Sequence, residues 1–156
     1  MKTNILAIDP GASGGLAELY PDGTVDAYAM PDEAELTTTI CDWVWNSREE
    51  GFQVVCYLEL VGGYIAGNPA PGSAMFNFGN GYGFIRGLLA ANQVPTHLIR
   101  PQQWQAGIPG VKGIKEKAMR KRALKEHAAR LFPTAKITLS TADALCLADY
   151  ARRNQT

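Results

Sequence analysis

Two continuous apolar runs, TNILAID (residues 3–9) and QVVCYLELV (residues 53–61), constrain this chain more than anything else in it. Neither alternates apolar with polar residues. Each therefore reads as a buried strand, the kind found where a sheet carries a layer on both faces. Each run also holds a single carboxylate near its carboxyl end, Asp9 in the first and Glu59 in the second. A lone buried carboxylate is costly, so two in equivalent positions call for a partner.

The rest of the chain builds around those runs. Residues 15–20 and 24–30 flank Pro21-Asp22-Gly23, a tight-turn signal, and read as a hairpin. Asp32 can cap a helix over residues 33–48, whose Leu36, Ile40, Trp43 and Val44 recur at helical spacing. The Gly- and Pro-rich stretch 62–73 reads as a loop, 74–92 as a helix despite its glycines, 94–100 as a strand and 100–113 as a loop. Residues 114–132 form a basic helix stopped by Pro133, and 141–153 a last helix with Thr141 as a cap. Three strands in succession, then alternation of helix and strand, predict an α/β chain: a mixed sheet with helices on both faces, in a single domain spanning 1–156.

A chain of 156 residues is long enough for one real core. No segment reaches the roughly 20 apolar residues that span a bilayer, which argues against a membrane partner. The opening MKTNILAIDP lacks the apolar core of a secretory signal. The three cysteines, Cys41, Cys56 and Cys146, lie in apolar stretches and read as reduced thiols, in keeping with a cytoplasmic protein. No Cys/His spacing suggests zinc.

The net charge is zero, but it is unevenly placed. Residues 112–130 hold eight Lys/Arg against Glu116 and Glu126, a charge of +6, which leaves −6 on the remainder. A basic segment on an acidic body points to a polyanion such as nucleic acid. Lys112, Lys115, Lys117 and Lys121 are the expected phosphate contacts.

In open α/β sheets, ligands gather at the carboxyl ends of strands. If the strands bearing Asp9 and Glu59 are neighbours, both carboxylates enter one crevice. Such acids repel unless a proton or cation lies between them, and hard oxygen donors favour magnesium or manganese. Asp143, in the first turn of the last helix, is the third candidate. Asp149, six residues further on, faces away and reads as a surface acid paired with Arg152 or Arg153.

ILAIDPGASGGLA, an apolar strand ending in Glu59, and the C-terminal STADALCLADYARR together resemble the RuvC-like Holliday junction resolvases, and the small phage-type members most of all. The likeness spans nearly the whole chain in order. It implies a ribonuclease H-like fold with a five-stranded mixed sheet, three antiparallel strands followed by parallel ones. It further implies a crossover junction endodeoxyribonuclease of DNA recombination and repair. Asp9, Glu59 and Asp143 would be its catalytic residues and the ligands of two magnesium ions, with manganese as an alternative. The family pattern supplies one more acid near Asp143. This chain has Leu139, Ser140, Cys146 and Leu147 one turn either side, so the second metal site lacks its acid.

Branched DNA, a four-way junction, is the partner the resemblance implies. A lysine near Lys117 would approach the scissile strand. In the loop after Glu59 an aromatic would wedge between bases, with Tyr64, Phe76 and Phe78 as candidates; Tyr64 is the more exposed choice, residues such as Phe76 and Phe78 are more often core, and Trp104 reads as a packing residue of its loop. Paired cuts across a two-fold junction match a C2 homodimer. Two other readings remain open: a nuclease with broader taste for branched nucleic acid, and a catalytically impaired binding module of the same fold.

Overall fold

A computed structural model describes residues 2–62 and 72–155. Five strands form one sheet: β1 (Thr3–Asp9), β2 (Gly15–Leu19), β3 (Val25–Ala29), β4 (Gln53–Glu59) and β5 (Thr96–Ile99). Their spatial order is β3-β2-β1-β4-β5, with β3, β2 and β1 antiparallel and β1, β4 and β5 parallel. This is the mixed sheet expected, with β1 and β4 side by side at its centre.

The helices are α1 (Glu33–Glu49), α2 (Gly72–Ala91), α3 (Pro101–Gln105), α4 (Lys117–Leu131) and α5 (Ala142–Arg153). Alternation along the central strands divides the core in two. Ile5, Ala7 and Tyr57 face a layer built from Trp104 of α3, Leu124 and Ala128 of α4 and the inner face of α5. Leu6, Ile8, Cys56 and Leu58 face the opposite layer, with Leu36, Ile40, Trp43 and Val44 of α1 and Ile85 and Leu89 of α2. Strands covered this way need apolar residues at every position, which is why both runs are continuous.

Asp32 caps α1 as expected, accepting from the Glu35 N–H at 2.8 Å. Thr141 does not cap α5. Its hydroxyl instead accepts from the Thr138 N–H at 3.0 Å, tightening the turn that leads into the helix. Within α5 every residue from Ala142 to Asp149 is buried, since the sheet, α3 and α4 cover it on successive sides. That enclosure corrects the surface reading of Asp149. The residue is 3% exposed, and Arg152 and Arg153 still pair with it.

The segment 100–113 is not all loop, because Pro101–Gln105 winds into the short helix α3. Phe76 is also not core. It stands 74% exposed on α2, a helix whose buried residues are only Ile85 and Leu89. Of the cysteines, Cys56 and Cys146 are buried and Cys41 is partly exposed.

Candidate active site

The parallel pairing of β1 with β4 runs to Ile8 opposite Leu58, so Asp9 and Glu59 follow one residue later on neighbouring strands. Ile8 and Leu58 face the α1–α2 layer. Alternation turns Asp9 and Glu59 the other way, toward α3, α4 and α5. Asp143, in the first turn of α5, meets them there.

Three glycines make this approach feasible. Gly15 stands opposite Asp9 in the β1–β2 register, and a Cβ on it would lie 2.5 Å from Ser140 O and 2.6 Å from Tyr28 O. Only a bare backbone lets the 138–141 turn lie so close, and that turn delivers Asp143. A Cβ on Gly14 would lie 2.0 Å from the Asp9 carbonyl oxygen. Gly11 adopts φ +104°, with the Phe78 ring against it.

A lysine ties the acids together. Lys121 Nζ lies 2.8 Å from Asp143 Oδ2 and 3.9 Å from Asp9 Oδ2. The other Asp143 oxygen, Oδ1, is buried with no hydrogen-bond partner. Glu59 is held from another side, its Oε2 accepting from the Trp104 indole N–H at 2.9 Å. Trp104 is 1% exposed, so it is the packing residue its sequence suggests and also a positioning contact for an acid 45 residues away.

The electrostatics are those of crowded carboxylates. Burial pushes the Asp9 carboxyl up to about 7, with Asp143 and Glu59 adding to the rise and Lys121 and Lys117 opposing it. Burial also raises Glu59, against the Trp104 hydrogen bond and the charges of Lys121 and Arg120. The three acids thus sense one another, although they come from three distant parts of the chain.

Among the described residues, no three His, Cys, Asp or Glu side chains already enclose a point at metal-ligand spacing. The chemistry nonetheless fits a hard divalent cation. The donors are all carboxylate oxygens, one of them orphaned, and Asp9 is strained in its charged form. As the site stands, the Lys121 ammonium is the cation among them.

The other basic candidates sit outside this cluster. Lys112 and Lys115 are exposed on the approach to α4, and Lys117 is exposed in its first turn. Lys121 is half-buried and turned inward. Arg120, not singled out by sequence, lies close enough to influence Glu59. Tyr64 lies outside the described residues.

No family model matches the chain, and no curated protein matches it in sequence. Solved structures do. RuvC of Thermus thermophilus in complex with Holliday junction substrate aligns with a TM-score of 0.60 at 15% identity, covering 97% of this chain and 96% of that one. Another Thermus thermophilus RuvC structure aligns with a TM-score of 0.56 at 16% identity, covering 96% of each. The fold is shared end to end, at an identity that speaks for the fold alone.

Proposed function

We propose that this chain is a metal-dependent endonuclease that cuts four-way DNA junctions by paired phosphodiester hydrolysis. One geometric fact carries the reading: oxygens of Asp9 and Asp143 both lie within 4 Å of one nitrogen, beside the strand end that bears Glu59. The fold it shares with a RuvC bound to Holliday junction substrate supports it.

Asp9, Glu59 and Asp143 would hold magnesium, or manganese, two ions in the family's scheme. Such an ion, when bound, lowers the pKa of a coordinated water and offsets charge on the leaving oxygen. Hydrolysis joins the water oxygen to phosphorus, breaks the bond to one sugar oxygen and leaves a proton on that oxygen. Trp104 fixes one oxygen of Glu59, leaving the other for a ligand. Gly15, bare of a side chain, lets the turn that delivers Asp143 close onto β2.

A wall of carboxylates repels DNA, so the clamp must be elsewhere. Lys112, Lys115 and Lys117 offer exposed ammonium groups for phosphates along the approach to α4. A homodimer, each copy cutting one strand, suits the two-fold junction. Among the described residues no helix is long and apolar enough to cross a membrane.

A second reading has its own observation. With Leu139, Ser140, Cys146 and Leu147 one turn from Asp143, no carboxylate flanks it on α5. A chain short of one acid could bind junctions without cutting them. Incubating a synthetic four-way junction with magnesium, using wild type and Asp9→Asn, separates the two. Symmetric cuts by wild type alone support the nuclease. Scattered nicks favour a broader nuclease, and binding without cutting, in manganese as well, favours the module.

A further inference from the structure

We propose that the Lys121 ammonium takes the place of the second cation, so that each chain binds one divalent ion rather than two. The inference rests on the nuclease reading above. It accounts for the missing acid beside Asp143.

Lys121 is built into this position by the packing of α4. Leu124 and Ala128, three and seven residues beyond it, are fully buried in the layer between α4 and α5. That spacing lies along one side of a helix, so the residues that seat α4 also aim Lys121 inward. The Cys146 thiol of α5 donates to the Leu124 carbonyl at 3.6 Å, fixing the two helices where Lys121 must reach. Lys121 is the basic residue of α4 that forms ion pairs with Asp9 and Asp143.

The charge arithmetic agrees. Asp9, Glu59 and Asp143 carry −3 when ionised. One dication and the Lys121 ammonium supply +3. Two dications with the lysine in place would supply +5 in a partly buried crevice, an excess that low dielectric penalises. A fourth carboxylate would ease that excess, and the chain places none on α5 beside Asp143. Lys121 pairs with one oxygen of Asp143 and one of Asp9, and the donors it leaves include Asp143 Oδ1 and the carboxylate of Glu59 on the strand beside Asp9.

An ammonium cannot activate water as a metal does. It can hold Asp9 and Asp143 together and stabilise negative charge on a phosphate oxygen without rearranging. Lys121 would therefore be a catalytic residue in the transition state and a structural cation before it.

The test counts ions. Mn2+ is titrated into the folded chain and free Mn2+ is read by electron paramagnetic resonance, with Asp9→Asn subtracted for adventitious sites. Wild type should bind one ion per chain. Lys121→Glu, which swaps the ammonium for a fourth carboxylate, should bind two. Lys121→Met should cut a four-way junction at least 100-fold more slowly, with Lys121→Arg within tenfold of wild type; circular dichroism checks that each variant folds. Two ions per wild-type chain with cleavage intact overturns this proposal and leaves the nuclease reading standing. Full cleavage by Lys121→Met also overturns it. No Asp9-dependent Mn2+ and no cleavage overturns both.

Discussion

The Trp104 indole N–H donates to Glu59 Oε2 across 2.9 Å, joining α3 to the end of β4. The hydrogen bond couples a core side chain to an acid of the crevice. Trp104→Phe keeps most of the packing and removes the donor. Junction cleavage should fall about tenfold, the worth of roughly 1.4 kcal/mol, with little loss of fold. The cleavage pH profile should shift upward, because the missing hydrogen bond had been holding the Glu59 pKa down. Single-turnover cleavage across pH 6–9 checks this, and an unmoved profile contradicts it.

Gly15→Ala should be far more damaging than its size suggests. The new methyl group would meet two backbone carbonyl oxygens at 2.5 and 2.6 Å, and backbone cannot swing aside as a side chain can. The 138–141 turn must retreat from β2, taking Asp143 with it. Thermal unfolding should show a loss of about 2 kcal/mol or more, within the range for overpacking. Cleavage should fall further than the lowered stability alone explains.

Glu18 gives a pH test away from the crevice. It is 5% exposed on β2, and burial pushes its carboxyl up to about 7, with Asp26 adding and the Tyr20 hydrogen bond opposing. A raised carboxyl means that the folded chain holds this proton where the unfolded chain has released it. Stability from this group is therefore present below the ordinary carboxyl range and lost as pH rises toward and through about 7. Glu18→Gln should melt higher than wild type at pH 8, by about 3 °C or more. The difference should shrink toward pH 4. A gap that is constant with pH would contradict the assignment.

Lys115→Ala should weaken junction binding without touching the acids, since Lys115 is exposed ahead of α4. Removing one phosphate-binding ammonium lowers the slope of log affinity against log salt by about one. Binding titrations from low to moderate salt measure it. An unchanged slope removes Lys115 from the clamp.

Much of this architecture is readable in the sequence because the central strands are covered on both faces. Continuous apolar runs have few other homes, and the acids that interrupt TNILAID and QVVCYLELV mark the strand ends that meet in the crevice. The helix α1 is legible from Asp32 and its apolar spacing, both realised in the fold. What the sequence hides is the meeting of distant segments. Nothing local to PQQWQ says that its tryptophan reaches Glu59, and five residues opening on a proline give too little periodicity to suggest a helix. Lys121 looks like any lysine of a basic run until α4 is packed against α5. Asp149 reads as exposed because helical spacing fixes direction around an axis, not what lies in that direction.

The enclosure of α5 has a last consequence. The helix that presents Asp143 is also the pillar on which the sheet, α3 and α4 all lean. A change that loosens this pillar therefore costs stability and chemistry together. Warming should extinguish both at a single temperature, with no dormant yet intact species in between.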